Sequence, residues 1–210
     1  MKIYRLNPAS KKPMTFADDK CDPVKGEVTE DFTASMQQPK VSVRYMFSGE
    51  MPYTAALSFL TQALNSRYLV SIREEKGGTY GVQVSGSTEY IPSETYNMTI
   101  SFDTNEEMAD ELREIVMKEI EEIAANGPKS EDIEKNREFM LKSWKNSLEQ
   151  NASWMNYLNS KYGSGLDYLA DYEEVLKTLT DADVQAMAKK VLSDGNLVKV
   201  IMRPAKEEAK

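Results

Sequence analysis

Histidine is absent from all 210 residues of this chain. With no imidazole to serve as base or ligand, the polypeptide alone cannot assemble a Ser/His or Cys/His nucleophilic pair or one of the usual catalytic zinc sites. Cysteine is almost as scarce. The single Cys21 rules out an internal disulfide, and an inert surface thiol is its expected state. Long apolar runs are missing too: nothing approaches the roughly 18 residues of a membrane span, and the opening Met1-Lys2-Ile3-Tyr4-Arg5-Leu6-Asn7-Pro8 has no signal-peptide core. A soluble chain with no membrane segment is expected, its compartment open between periplasm and cytoplasm. Positive charge is in deficit, 26 Lys and Arg against 34 Asp and Glu for a net charge of −8. Such a surface repels a polyanion, so no nucleic-acid partner is expected.

What is present suffices for one hydrophobic core. The apolar fraction is 40%, with eleven tyrosines and two tryptophans, in a length that suits one large domain or a domain with an extension. Residues 1–26 carry Pro8, Pro13 and Pro23, the pairs Lys11-Lys12 and Asp18-Asp19, and no sustained periodicity. They read as a linker or N-terminal arm lying on a neighbour, leaving residues 27–210 as the domain.

Periodicity then divides the domain. Residues 27–35 form a strand with Val28 and Phe32 on one face. From Val41 to Phe47 the alternation is clean, with Val41, Val43, Tyr45 and Phe47 on one side and Ser42, Arg44 and Met46 on the other. After a turn at Ser48–Pro52, Thr54 starts a helix of about twenty residues; its buried stripe is Leu57, Leu60, Leu64, Tyr68 and Ile72, widened by Ala56, Ala63 and Leu69. Gly77 or Gly78 closes it. A strand follows over 79–90, a turn at 91–94, and a second strand over 95–102, together an antiparallel hairpin. Thr104 or Asn105 caps the next helix, which runs to about Ala125 with Glu106 and Glu107 in its first turn; Met108, Leu112, Ile115, Glu119 and Ile123 line one side. Gly127-Pro128 breaks that helix and Ser130 caps another, with Ile133, Met140, Trp144 and Leu148 inward. Trp154, Leu158 and Tyr162 recur at spacing four before a loop at Gly163-Ser164-Gly165, and a short helix surrounds Tyr172–Leu176. Thr180-Asp181-Ala182-Asp183 outlines a capping box, and residues 197–202 form the last strand. Without its first strand and extra helices the order is βαββαβ. That is the split βαβ arrangement: an α+β fold with an antiparallel or mixed sheet of five to six strands and helices chiefly on one face. The acidic helices over 105–150 read as solvated outer faces.

The chemistry concentrates between Ile72 and Val82. Lys76-Gly77-Gly78-Thr79 is no phosphate loop, because in such loops the glycines precede the lysine and a strand leads in. Glu74 and Glu75, adjacent on a helix, point about 100° apart and cannot pair as acid and base without a third element. Arg73 and Tyr80 can be brought together by the helix end and the glycine turn. A guanidinium and a phenol together could hold a carbonyl oxygen or stabilise an oxyanion. The plainer alternative is an arginine balancing Glu74 or Glu75 and a tyrosine capping the core.

Arg73-Glu74-Glu75-Lys76-Gly77-Gly78-Thr79-Tyr80, between a long Leu/Ala-rich helix and a strand, resembles the arginine–tyrosine element of the pitrilysin/insulinase-type zinc peptidases. The resemblance extends over roughly residues 27–204. It takes in strand 41–47, Leu64-Asn65-Ser66-Arg67-Tyr68, the break Asn126-Gly127-Pro128 followed by Glu131, the helix start Leu179-Thr180-Asp181-Ala182-Asp183-Val184-Gln185, and the end Met202-Arg203-Pro204. Order and spacing of these pieces together carry it. Members are built from similar α+β domains arranged as two halves around a closed chamber, one half bearing an inverted H-x-x-E-H zinc helix. The resemblance implies that this chain is a C-terminal domain from the half without zinc. Tyr80 would then donate to the substrate carbonyl as it becomes an oxyanion, and Arg73 would bind and orient the substrate backbone. No metal or cofactor is expected in this chain. Zinc is expected in a separate catalytic domain or partner subunit, peptide or unfolded polypeptide is the implied substrate, and the isolated chain should be inactive. A structural or partner domain of an inactive relative is the alternative.

Overall fold

The computed structural model describes residues 24–51, 54–74, 79, 81–89, 93–165 and 167–205. Most of the expected arm, Cys21, the closing glycines Gly77 and Gly78, Glu75, Lys76, Tyr80 and the turn at Ile91-Pro92 lie outside them. Among the described residues five strands form one sheet: β1 (Glu27–Ala34), β2 (Val41–Glu50), β3 (Val82–Glu89), β4 (Thr95–Thr104) and β5 (Leu197–Pro204), in the order β1-β5-β2-β4-β3. The helices are α1 (Ala56–Tyr68), α2 (Ala109–Asn126), α3 (Ser130–Ser147), α4 (Asn151–Asn159), α5 (Tyr168–Thr178) and α6 (Asp181–Ser193); α1 continues as a π-helical segment Leu69–Glu74, and α4 as another, Ser160–Ser164.

Strand β2 is antiparallel to β4 and to β5, and β4 is antiparallel to β3. Hence β2 and β3, linked by α1, are parallel with β4 between them, while β4 and β5 are parallel with β2 between them. These are two interleaved split βαβ units, as the element order predicts. Strand β1 adds to the edge in parallel with β5, which makes the sheet mixed.

Period-two alternation puts the core on one face. Val43, Tyr45 and Phe47 of β2 are buried in register with Phe102, Ile100 and Met98 of β4, and α1, α2 and α6 pack against that side. Leu57, Leu60, Leu64, Tyr68 and Ile72 are all buried as expected, and α3 packs outside α1 with α5 against it. Arg137 of α3 ties this outer layer down: its guanidinium donates to the main-chain oxygen of Leu176 and, at 2.7 Å, to that of Leu179.

Several boundaries differ from the sequence expectation. Strand β2 runs through Ser48, Gly49 and Glu50, which pair with Asn97, Tyr96 and Thr95 where a turn was expected. Gly49 permits this, because a Cβ there would meet Asp194 Oδ2 at 2.1 Å and the Tyr96 ring at 2.6 Å. The β3 ladder begins at Val82 instead of Thr79. Thr104 remains in β4 opposite Val41, and Asn105 Oδ1 accepts from Met108 N–H at 2.9 Å, so Glu106–Met108 form a turn and α2 starts at Ala109. Asp110 and Glu111, not Glu106 and Glu107, occupy its first turn. Its buried row is Leu112, Val116, Ile120 and Ile123, with Ile115 and Glu119 at the border. Leu69 does not widen the α1 stripe: the π-helical segment begins there and leaves it 45% exposed. Ser130 does not cap α3; its hydroxyl bonds Asp181 at the start of α6. Trp154, Leu158 and Tyr162 are exposed, and Gly163-Ser164 continue the helix until Gly165 ends it in a left-handed conformation. Helix α5 forms as expected and is longer than the short helix around Tyr172–Leu176.

The capping box at α6 forms as expected: Thr180 Oγ1 accepts from Asp183 N–H, and the Asp183 carboxylate accepts from Thr180 N–H at 2.8 Å. Bonds from the Thr180 side chain and main chain hold the Asp183 carboxyl below its usual value, outweighing desolvation. The folded value lies below the unfolded one, so this stability is present above the carboxylate range and lost as pH falls through the folded value. Asp183→Ala should therefore cost about 0.5–1 kcal/mol at pH 7 and little near pH 2, read by urea unfolding at both pH values. An equal deficit at both would contradict the capping role. Gly49→Ala should cost about 1–3 kcal/mol in the same assay, since the buried Tyr96 ring cannot move aside cheaply; wild-type stability would show that the approach is not tight.

Candidate functional site

The link between α1 and β3 organises the candidate site. Asn65, on α1, presents its amide to the edge of β3: Oδ1 accepts from Val84 N–H and Nδ2 donates to Val84 C=O, both at 3.0 Å. The side chain stands where a neighbouring strand would pair, which protects an otherwise open edge. Gly86 lets α1 come this close; a Cβ there would lie 2.9 Å from Leu57 Cγ. One turn further along, Arg67 Nη1 pairs with Glu119 Oε2 at 3.0 Å, and Tyr68 OH donates to Val116 C=O at 2.8 Å. Burial first, then the nearby Glu119, pushes the Tyr68 phenol well above its usual value, so it stays a neutral donor. The end of α1 is thus pinned to both α2 and β3.

From that anchored end the π-helical segment buries Ile72 and leaves Arg73 exposed. Tyr80 lies outside the described residues, but its two neighbours are bonded to each other: Thr79 Oγ1 accepts from Gly81 N–H at 3.2 Å and donates to Gly81 C=O at 3.3 Å. Thr79 and Gly81 line one end of an open trough of about 680 Å³ on the helix-free face of the sheet. The trough runs past Gln83 and Ser101 to Arg44, Met46, Val200 and Met202.

Arg44 and Asn65 are the residues that sequence reasoning left without a role. Of the six described arginines, Arg67, Arg113, Arg137 and Arg203 form ion pairs with described residues; Arg44 and Arg73 do not. A lone charge in the middle of a central strand, opposite its apolar row, was the available signal for Arg44. Nothing in the spacing distinguished Asn65 from a solvated helix residue. As for metal, the chain has no histidine, and among the described residues no group of three or more His, Cys, Asp or Glu could hold an ion. A zinc centre does not fit the described residues.

The family model described as the peptidase M16 inactive domain matches residues 6–140. The chain belongs to this family. Its fold is that of the M16 inactive domain from Pseudomonas fluorescens, with a TM-score of 0.71 at 22% identity over 89% of this chain and 45% of that one. The periplasmic protease PqqL of Escherichia coli superposes with a TM-score of 0.69 at 19% identity, covering 86% of this chain and 21% of PqqL. Among curated proteins, the zinc protease PQQL-like of Arabidopsis thaliana is 24% identical over 169 residues, 74% of this chain. The M16 inactive domain described here spans only 17% of that relative's length. No described helix is long and apolar enough to cross a membrane.

The Asn65 bridge is directly testable. Asn65→Ala should strip the Val84 amide of its acceptor and cost about 1–3 kcal/mol. Hydrogen exchange at Val84 should accelerate at least tenfold, while buried amides of β4 change only by the global loss. Unaltered protection of Val84 would remove Asn65 from the account.

Proposed function

We propose that this chain, with residues 27–210 as its folded domain and 1–26 as an arm, serves a zinc-dependent metalloendopeptidase that hydrolyses peptides in a closed two-half chamber. Zinc belongs to another domain or subunit, and peptide or unfolded polypeptide is the substrate. Arg73 and Tyr80 are this chain's contribution. The observation that carries the reading is an exposed arginine, free of ion pairs with described residues, at the end of an anchored helix in a chain of the M16 inactive-domain family. Thr79 and Gly81, bonded to each other on either side of position 80, support it.

The chemistry asked of the two side chains is modest. Peptide hydrolysis turns the scissile carbonyl oxygen into an oxyanion. A phenol O–H donated by Tyr80 strengthens as that charge grows, which makes it a transition-state interaction. Arg73 offers five N–H donors in a fixed fork and holds main-chain carbonyls of the substrate in register for the reaction. Neither group transfers a proton in this role.

With the zinc-bearing domain or subunit present, Tyr80→Phe should lower kcat by about two to three orders of magnitude with KM little changed. Arg73→Ala should raise KM as well, because it removes binding shared by ground and transition states. Cleavage of a fluorogenic peptide reads both. Unchanged rates in both variants would leave the domain as a structural partner.

A further inference from the structure

The helix-free sheet face has a chemical pattern of its own. Successive ladder partners place Gln83, Ser101, Arg44, Val200 and Glu30 in one row across five strands. The next row is Ser85, Thr99, Met46, Val198 and Val28, and on the other side Ser42, Met202 and Phe32 share a row with Asp103. The β3–β4 side is thus hydroxyl-rich and the β2–β5–β1 side apolar, with Arg44 at the seam. Asp103 is engaged by Lys40 Nζ at 2.7 Å and Ser42 Oγ at 2.6 Å. Glu30 stands beyond Val200, two strand spacings or about 10 Å from Arg44. The Arg44 guanidinium forms no ion pair or hydrogen bond with a described side chain, and it lies in the floor of the trough that ends at Gly81.

Resting on the reading that peptide or unfolded polypeptide is the substrate, we infer that it crosses this face and that Arg44 is a specificity-determining residue that selects a carboxylate side chain in the bound segment. A planar fork beside half-buried Met46 and Val200 suits a bidentate aspartate or glutamate, whose aliphatic stem packs on the same apolar side. The ladder also sets where the acidic residue falls. Gly81 is two strands and two residues from Arg44 in the grid, about 12 Å at ordinary sheet spacings. An extended chain covers that span in roughly four residues. The acidic side chain accordingly lies about four residues from the one held beside Gly81.

The probe is a set of fluorescein-labelled octapeptides of Val, Ser and Thr that differ at one central residue: Glu, Gln or Lys. Affinities are read by polarisation on the 210-residue chain, and the location by amide shifts in an NMR titration. The Glu peptide should bind about fivefold tighter than the Gln peptide, with shifts at Ser42–Met46 and Val198–Met202. Arg44→Gln should bring that ratio to one without weakening the Gln peptide, and Arg44→Glu should prefer the Lys peptide. Because Arg44 is exposed, both variants should keep the wild-type unfolding midpoint. The inference is overturned by a Glu/Gln ratio that survives Arg44→Gln, by shifts confined elsewhere, or by binding of none of the three peptides. Failure here with cleavage still dependent on Arg73 and Tyr80 removes only Arg44; a retained charge preference with cleavage indifferent to that pair removes the catalytic reading instead.

Discussion

Everything in this fold depends on a sheet covered by helices on one face only. Each strand must then separate its residues with a period of two, and β2 does so cleanly: Val41, Val43, Tyr45 and Phe47 are buried while Arg44 is exposed. The constraint also explains β1. Lys199 and Arg203 of β5 point to the helix side near its border, Lys199 in register with Tyr45, where Arg203 would otherwise have only the longer 3.7 Å pair with Asp110. Strand β1 supplies Glu27 to Lys199 at 2.6 Å and Asp31 to Arg203 at 3.0 Å. Such partly exposed pairs contribute at most about 1 kcal/mol each, so the strand is held mainly by its main-chain ladder and the charges fix which residues face inward. At its leading end, Gly26 is tied to β5 through Asn196 Oδ1 and Leu197 N–H, both at 3.0 Å.

A second constraint follows from the split βαβ topology. Helix α1 must cross from β2 to a parallel β3 two strands away, and the chain must then reverse into the hairpin. Asn65, Arg67 and Tyr68 fasten the end of that helix to β3 and to α2 within a single turn. Arg67 Nε is buried without a partner among the described residues, a cost set against the Glu119 pair and one that marks the spot as tightly fitted. The π-helical segment begins immediately after these fastenings. A wider helical turn relaxes the register that α1 would otherwise impose, so Ile72 stays in the core while Leu69, Val70 and Arg73 turn outward. An exposed arginine one residue after a fully buried isoleucine has a fixed origin even though its own side chain forms no ion pair among the described residues.

Much of this was legible from pattern alone. The β2 and β4 alternations, the α1 stripe and the α6 capping box are local signals, and each formed where periodicity or cap chemistry put it. What escaped was decided by tertiary contact. Thr104 looks like a helix cap, yet its backbone has a better partner in Val41. Ser48-Gly49-Glu50 looks like a turn because glycine weakens a strand in isolation; in the sheet its missing side chain is what makes room for Tyr96 and Asp194. On α2 the spacing allowed several overlapping stripes, and only the position of the sheet selects Leu112, Val116, Ile120 and Ile123. Trp154, Leu158 and Tyr162 show the limit of such patterns. Their spacing equals that of a core stripe, but periodicity reports which residues share a face, not whether anything covers it, and Tyr162 is 79% exposed. Arg73 is an exposed residue whose interest came from its position and from resemblance, whereas Arg44, visible in the sequence as a lone charge in a central strand, acquires a role only when the ladder shows which side chains surround it.

An acidic chain that reads an acidic side chain needs a physical reason. The net charge of −8 is carried largely by outer helix faces, among them the exposed Glu114, Glu121 and Glu122 of α2 and Glu131, Glu134 and Glu138 of α3. Those faces are separated from the trough by a helix layer as well as the sheet, a thickness above about 10 Å. At physiological salt the screening length is about 8 Å, so their field is largely spent before it reaches the far side through solvent. What a bound segment meets in the trough is the local set: a guanidinium without an ion-pair partner among described residues, a carboxylate already occupied by Lys40 and Ser42, and Glu30 two strands away. Overall charge thus governs encounter with large polyanions, while the trough responds to the nearest unpaired group. The same separation lets one face of the sheet carry stability and the other carry recognition, since substitutions among solvent-facing side chains of the trough leave the core packing of β2 and β4 untouched.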